Sequence, residues 1–238
     1  MPSDPTESPL DPAVLVALTA LDTPTVCNAL EVVAPTRRGG GYTTTPFFAP
    51  RPELPSIVGW ARTATVCSST PSDLDAEALA RLRVAYYGHI SSGPQPTITV
   101  IEDVDDRPGY GAWWGEVNTN VHQGLGSLGV ITNGSIRDLP DSAPGFQLLA
   151  GMPAPSHAWI RVESFGRPVT VHGMDVVDGD LIHADQHGAV VVPVDVAAEV
   201  PAAAAEIAAS EARLISASRE PGFSAARIAE VLGLSEGH

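Results

Sequence analysis

The sequence predicts an α/β fold, a single domain of mixed strands with helical extensions at its N- and C-termini. Runs rich in β-branched residues, namely IVGWARTATV, PTITVIED and GVITN, alternate with segments of helical periodicity. From residue 147 to residue 194, short β-like runs alternate with Gly, Pro and Asp turns. An alanine-rich segment of strong helix propensity follows them.

The N-terminal region begins with an acidic, proline-rich stretch, residues 1–12, for which we predict a flexible leader. Two short helices are expected in PAVLVALTALDTPTVCNALE, because apolar residues recur at helical spacing on both sides of a Thr-Pro break. Asp22 or Thr23 can cap the second helix, with Pro24 in its first turn. Residues 36–55 are expected to form a loop.

The next segment, SIVGWARTATVCSS, predicts a strand in which Gly59 indicates the close approach of another backbone. Residues 73–91 predict a helix, and PTITVIED predicts a second strand. The helix is expected to bury an apolar stripe made of Ala76, Leu79, Leu82, Val84 and Ala85.

The segment DRPGYGAWWGE is expected to be a glycine-rich linker, followed by a helix at VNTNVHQGLGSLG and a buried strand at GVITN. GSIRDLPD is then a loop at the carboxyl end of that strand. The C-terminal helical extension is predicted to begin at about residue 195, with Asp195 as its cap and Pro201 as an early kink. Residues 13–238 thus make up one predicted domain.

The charge of the chain limits its partners. It has 13 Lys and Arg against 28 Asp and Glu, which gives a formal net charge of −15. Such a field repels phosphate backbones and anionic lipid headgroups. We therefore expect neither nucleic acid nor a membrane as a partner.

The two cysteines, Cys27 and Cys67, lie far apart and form no CxxC pair, which is typical of reduced thiols in the cytoplasm. No apolar run is long enough to span a membrane, and the N-terminal residues lack the features of a signal peptide. These observations together predict a cytoplasmic protein.

The segment GVITNGSIRDLPD places Arg137 and Asp138 side by side where an apolar strand ends. In α/β proteins, ligands bind outside the carboxyl ends of strands. The planar guanidinium of Arg137 matches a carboxylate or an enolate oxygen, and Asp138 offers the hard oxygen ligand that Mg²⁺ or Mn²⁺ prefers. A surface salt bridge, or an Asp that caps the next helix, is the alternative interpretation.

Upstream, WWGEVNTN places Gly115 and Glu116 at a predicted helix start. The free backbone N–H groups of Val117 and Asn118 are suited to hold a substrate carboxylate there. Twenty residues separate Glu116 from Arg137, and one helix followed by one strand occupies about this length of chain.

Several segments resemble the RraA-like family: TPTVCNALE, IVGWARTATV, WWGE, GVITNGSIRD and RPVTVHGMDVVDGDLIHADQHGAVVVP. This family includes divalent-metal-dependent aldolases that act on 4-hydroxy-4-methyl-2-oxoglutarate and 4-carboxy-4-hydroxy-2-oxoadipate. Its most specific feature is an acidic residue, twenty residues and then Arg-Asp, which falls on Glu116, Arg137 and Asp138. The first acidic residue is often Asp in the family. Glu116 therefore carries its carboxylate one methylene further from the backbone, towards the metal.

The resemblance implies a swivelling β/β/α sandwich assembled as a homotrimer or a hexamer, with sites where subunits meet. It also implies that Asp138 binds Mg²⁺ or Mn²⁺ directly, that Glu116 acts through metal-bound water, and that Arg137 binds the anionic oxo-acid and stabilises its enolate. The implied reaction is retro-aldol cleavage of a 4-hydroxy-2-oxo acid through a pyruvate enolate, with oxaloacetate decarboxylation as a related activity. The chain contains no lysine, which excludes an aldolase that forms a lysine imine.

Three further polar residues are candidates for supporting this site. Asp141 lies three residues after Asp138. It is suited to hydrogen-bond to the groups that bind the metal, and the alternative is that it is simply solvated. Asp185 and His187 lie on a predicted tight turn between two strands. Asp185 is suited to hold that turn, and His187 is suited to reach the site of a neighbouring subunit.

Two other functions stay open. One is a non-catalytic protein that regulates a ribonuclease by contact, as some RraA-like proteins do, and an acidic surface would serve that role. Such a module, however, has no physical need for Glu116, Arg137 and Asp138. The other is a scaffold adapted to a different enolate or hydroxy-acid reaction in specialised metabolism.

Overall fold

The structure is a computed structural model that describes residues 8–234. The helices are α1 Pro12–Thr19, α2 Thr23–Val33, α3 Ala76–Ile90, α4 Glu116–Gly124, α5 Val200–Ser218 and α6 Ala225–Val231, with short 3₁₀ turns at Pro35–Arg37 and Leu139–Asp141. The strands are β1 Ile57–Cys67, β2 Thr97–Asp103, β3 Ala112–Trp114, β4 Ser127–Thr132, β5 Ser135–Ile136, β6 Gln147–Leu149, β7 Met152–Pro153, β8 Arg161–Phe165, β9 Val169–Val171, β10 Met174–Val176, β11 Leu181–Asp185 and β12 Gly188–Val192. The predicted mixed α/β fold is confirmed.

The main sheet is built around β1. The strand order is β12-β11-β1-β2-β4-β6, and β8 also pairs with β1. One edge of β1 pairs in parallel with β2, while the other edge is shared between β11 and β8, both antiparallel. Gly59 confirms the predicted close approach, because an ideal Cβ at this residue would lie 2.8 Å from the carbonyl oxygen of Pro96.

Layers pack on both faces of this sheet. The hairpin β9–β10 covers one face, where Val171 and Met174 pack against Ile98 and Ile131. On the other face, Tyr86 and other buried side chains of α3 pack with residues of β1, β2 and β4. The result is a β/β/α arrangement of hairpin, sheet and helix.

A second, smaller sheet carries the elements that build the site. Its three short strands, in the order β3-β5-β7, run parallel to one another. The expected glycine-rich linker is therefore wrong in part, since it contains β3, and the expected loop GSIRDLPD contains β5. Strands of two or three residues are too short for a period-2 pattern to reveal them.

The N-terminal helices and α5 pack together over β1, β11 and β12. Asp22 caps α2 as predicted, because its Oδ1 accepts a hydrogen bond of 2.8 Å from the Thr25 backbone N–H. Most of the predicted leader, residues 1–7, lies outside the described residues. Within residues 8–234, no helix has both the length and the apolar character needed to cross a membrane.

The predicted start of the C-terminal helix needs correction. α5 begins at Val200 with Glu199 at the N-cap position, and Asp195 does not cap it. Two successive turns, closed by hydrogen bonds to the carbonyls of Pro193 and Val196, keep Asp195 outside the helix. Pro201 lies in the first turn, where a helix needs no donor from its backbone nitrogen, so it produces no internal break.

The predicted apolar stripe of α3 is also wrong in most of its members. Ala76, Val84 and Ala85 are exposed, with Val84 at 70%, and Leu79 and Leu82 are only half-buried. The fully buried side chains are Tyr86 and Ile90, because only the C-terminal part of the helix packs against the sheet.

Candidate functional site

A cavity of about 650 Å³ lies beside the small sheet. Its walls come from the residues that follow β3 and β5, from one face of α3 and from the segment 157–162. Glu116, Val117, Asn118, Arg137 and Asp138 all line it.

The pairing of β3 with β5 explains why residues twenty positions apart meet here. The two strands are parallel neighbours in which Trp114 pairs with Ile136. The chain therefore leaves both strands at the same edge, and the residues that follow, Glu116 on one side and Arg137 with Asp138 on the other, emerge next to each other.

Arg137 and Asp138 are fixed by their backbone and by each other. The Arg137 backbone N–H donates to the Trp114 carbonyl at 2.9 Å. The Arg137 Nε lies 3.3 Å from Asp138 Oδ2, and both side chains are partly exposed to the cavity. Asp138 has a left-handed backbone with φ of 50°, which turns the chain sharply after the strand.

Gly115 lies directly beside this pair. An ideal Cβ at residue 115 would lie 2.5 Å from Asp138 Oδ2 and 3.2 Å from the Cγ of Arg137. Any side chain would displace the carboxylate, so the position requires glycine for space rather than for backbone freedom.

Helix α4 begins at this point and directs its N-terminus at the cavity. Gly115 is the N-cap residue and offers no side chain to the first N–H groups, which have no partner within the helix. These N–H groups, among them those of Val117 and Asn118, form a favourable place for an anion. Val117 is 71% exposed, so its own side chain does not block them.

The side chain of Asn118 is already used by the protein. Its Nδ2 donates to the Trp113 carbonyl at 2.5 Å, and its Oδ1 accepts from the Tyr87 hydroxyl at 2.8 Å. Only the backbone N–H of Asn118 is therefore left for a ligand.

A buried pair holds α4 against α3. His122 accepts a hydrogen bond at Nε2 from the Tyr86 hydroxyl at 2.7 Å and donates from Nδ1 to the Asn118 carbonyl at 2.6 Å. Burial lowers the pKa of His122 to about 4, so its imidazole is neutral at neutral pH. A neutral imidazole donates from one nitrogen and accepts at the other, which assigns the two hydrogen bonds. His122 thus fixes the helix whose first N–H groups face the cavity.

The far wall of the cavity contains residues that the sequence did not point to. Arg83 of α3 lies over the ring of Trp113, 5.5 Å from its centroid, and both line the cavity. His157 and Trp159 contribute from the loop before β8. No motif or spacing singles these residues out, since tertiary packing alone brings them to the site.

The three supporting candidates lie outside the cavity lining. Asp141 is exposed, and its backbone N–H donates to the Asp138 carbonyl at 3.0 Å. Asp185 is buried and accepts hydrogen bonds from the backbone N–H groups of Thr23 at 2.9 Å and His187 at 2.8 Å. Asp185 therefore ties the start of α2 to the turn between β11 and β12, with His187 beside it on the surface.

Burial would raise the pKa of Asp185, but its hydrogen bonds from Thr23 and His187 outweigh that effect and lower it. The carboxylate thus stays ionised within its turn. A contact of His187 with the site of another subunit stays a prediction.

The carboxylate oxygens of the cavity suit a hard divalent cation. Across residues 8–234, no group of three or more His, Cys, Asp or Glu side chains is arranged to hold a metal. Asp138 and Glu116 nevertheless offer two exposed carboxylates at one wall, and Mg²⁺ is commonly bound by one or two carboxylates with water completing its shell. The residues present therefore fit such an ion.

Comparison with known structures shows the fold. An uncharacterised protein from Pseudomonas syringae pv. tomato is 22% identical, with a TM-score of 0.65 over 88% of this chain and 94% of that one. Streptomyces coelicolor RraAS2, described as an unusual member of the RNase ES inhibitor RraA family, is also 22% identical, with a TM-score of 0.66 over 86% and 96%. The expected RraA-like fold is confirmed. Among curated proteins, none matches the chain.

The sequence itself matches a family model. Residues 23–191 fit the model described as RraA-like, Aldolase/RraA. The match spans most of the chain, from the start of α2 to β12, and includes every residue that lines the site described above. The chain therefore belongs to the RraA-like family.

Proposed function

We propose that the protein is a divalent-metal-dependent lyase that cleaves a 4-hydroxy-2-oxo acid by a retro-aldol reaction. The C3–C4 bond breaks, and the three-carbon half leaves as the enolate of pyruvate. Decarboxylation of oxaloacetate passes through the same enolate and is proposed as a second activity.

One observation carries this proposal. The parallel pairing of β3 and β5 brings Glu116, Arg137 and Asp138 to one cavity, at the N-terminus of α4. A guanidinium, two hard carboxylates and free N–H groups are the set needed to bind an oxo-acid and stabilise negative charge on it. A purely structural salt bridge needs neither the cavity nor the second carboxylate.

The residues have separate tasks in the reaction. Arg137 donates to the oxygen on which enolate charge develops, and its Nε remains within reach of Asp138. The N–H groups of Val117 and Asn118 orient the substrate carboxylate. Asp138 directly, and Glu116 through water, would hold Mg²⁺ or Mn²⁺, which supplies a Lewis acid to the oxo group.

We further propose a homotrimer or a hexamer, with the site completed at a subunit interface. Large apolar side chains are exposed around the cavity and the small sheet: Tyr110 at 56%, Val117 at 71%, Met152 at 47% and Trp159 at 52%. Exposed apolar groups of this kind favour burial against another chain, and closed rotational symmetry is the usual outcome for identical chains.

The cytoplasm is the proposed location. Cys27 and Cys67 are both free thiols. Reduced cysteines are typical of that compartment.

The test is a pyruvate-release assay on a panel of 4-hydroxy-2-oxo acids and oxaloacetate, with Mg²⁺, with Mn²⁺ and with excess EDTA. We expect metal-dependent pyruvate release from at least one member of the panel, and loss of release with EDTA or with Asp138→Asn. No release from any member in saturating metal would overturn the proposal. It would favour a protein-binding role instead, and the Streptomyces coelicolor relative is described as an unusual member of an RNase ES inhibitor family.

A further inference from the structure

The loop before β8 holds one side of the cavity with a firmly fixed backbone. The Ser156 carbonyl accepts from the Ala112 N–H at 2.8 Å, and the Trp159 N–H donates to the Ser68 carbonyl at 3.1 Å. The His157 carbonyl accepts from the Ile160 N–H at 3.0 Å, and a side chain at Gly111 would collide with it. Residue 157 is therefore held in place from both sides.

The imidazole of His157 has no structural task in the described residues. His157 is exposed and lines the cavity, and within residues 8–234 its side chain makes no hydrogen bond. This differs from His122, His172 and His183, whose buried rings are each held by hydrogen bonds on both nitrogens.

The other ionisable groups of the cavity are arginines or already have another role. These are Arg83, Tyr87, Glu116, Arg137, Asp138 and Arg161. Burial raises the pKa of Tyr87, and its hydroxyl already donates to Asn118. The arginine side chains stay protonated, and Arg161 is also paired with Glu163, with Nε 2.6 Å from Oε1. The carboxylates of Glu116 and Asp138 belong to the proposed metal site.

We infer that His157 is the general base and acid of the cleavage reaction. This inference rests on the proposed function. The neutral imidazole takes the proton of the substrate's C4 hydroxyl, the C4–O bond becomes a carbonyl, and the electron pair of the C3–C4 bond passes into the pyruvate enolate. The imidazolium then returns the proton to C3, which yields pyruvate and restores the neutral ring.

This role separates the two proposed activities. Cleavage requires the removal of a hydroxyl proton, whereas oxaloacetate loses carbon dioxide without one. The base is therefore needed for the bond-breaking step of cleavage and not for that of decarboxylation.

The surroundings of His157 are mixed in charge. The carboxylates of Glu116 and Asp138 and the guanidiniums of Arg83, Arg137 and Arg161 share its cavity. Asp105, which does not line the cavity, accepts hydrogen bonds from Ser68, Ser69 and Cys67.

The experiment compares wild type, His157→Gln and His157→Ala. The readouts are pyruvate release from the hydroxy-oxo acid that the wild type cleaves fastest, oxaloacetate consumption, the pH profile of kcat/KM, and melting temperature. We expect the kcat of cleavage to fall about a hundredfold or more in both variants. Oxaloacetate consumption is expected to fall far less, and the pH profile of kcat/KM is expected to differ from that of the wild type. Free imidazole is expected to restore part of the activity of His157→Ala.

Two outcomes would overturn the inference. One is cleavage by His157→Gln at the wild-type rate with the wild-type pH profile. The other is a loss of activity that follows a lowered melting temperature and that imidazole does not restore. Failure of the proposed function is distinct, because the wild type itself would then release no pyruvate.

Discussion

The carboxylate of Asp138 occupies the space that a side chain at Gly115 would need, with Oδ2 2.5 Å from the ideal Cβ position. Gly115 precedes the helix that carries Glu116, so the close approach limits how near the start of α4 can lie to Asp138. Its effect can be tested by adding a single methyl group.

We predict that Gly115→Ala displaces Asp138 and lowers kcat/KM about a hundredfold, since a shift of about 1 Å in a positioned group costs that much. The matched control is Gly124→Ala at the other end of α4, where an added Cβ meets nothing within 4 Å. We expect the control to keep full activity and to be slightly more stable, because alanine is the better helix former. Equal kinetics in the two variants would contradict the placement of Asp138 in the site.

Arg137→Lys replaces a planar fork by a point charge. If the guanidinium stabilises the enolate, kcat falls by about a hundred- to a thousandfold while the melting temperature stays near that of the wild type. Arg213→Lys on α5 is the control and should change neither quantity, because this arginine is exposed and, within residues 8–234, its side chain hydrogen-bonds only to Ser210. Unchanged turnover with a lowered melting temperature would show instead that Arg137 serves the fold.

The two carboxylates are predicted to differ in metal binding. Asp138→Asn removes a direct ligand, and we expect calorimetric titration with Mn²⁺ to show little or no binding. Glu116→Gln should weaken binding by about 10- to 100-fold, because the amide still orients water without supplying charge. Equal losses in both variants would indicate that Glu116 is itself a direct ligand.

Stability is predicted to fall in mild acid. Burial lowers the pKa of His122 to about 4, from an ordinary value of 6.5. The unfolded chain therefore binds a proton at this residue at a pH where the folded chain does not, and stability declines as the pH falls from about 6.5 to about 4. His122→Gln should show a shallower decline of melting temperature over this range. Some decline remains, because burial also lowers the pKa values of His172 and His183.

Sequence patterns predicted the long elements well and the short ones poorly. β1, β2, β11 and β12 are five to eleven residues long and show their β-branched character directly. β3, β5 and β7 have only two or three residues. No periodic pattern in the sequence therefore reveals the sheet that aligns Glu116 with Arg137. The spacing between these residues was informative, although the strand that ends beside Arg137 is β5 rather than β4.

The far wall of the cavity illustrates a different limit. Leu79 and Leu82 have the spacing of a core stripe, yet they are half-buried and line the cavity. Helical periodicity identifies an apolar face but not what covers that face. His157 likewise reaches the cavity only because its loop is fixed to segments far away in the sequence, and no local pattern records such contacts.

The shared edge of β1 has a consequence for synthesis on the ribosome. Ile57 pairs with Ala184 and Ala64 pairs with Phe165, so both partners of this edge are made long after β1 and β2. A nascent chain exposes an unpaired, largely apolar strand edge until almost the entire domain has emerged. Such edges are sites of aggregation in incomplete chains. Translation pauses between residues 103 and 161 would therefore lower the yield of folded protein more than pauses within α5.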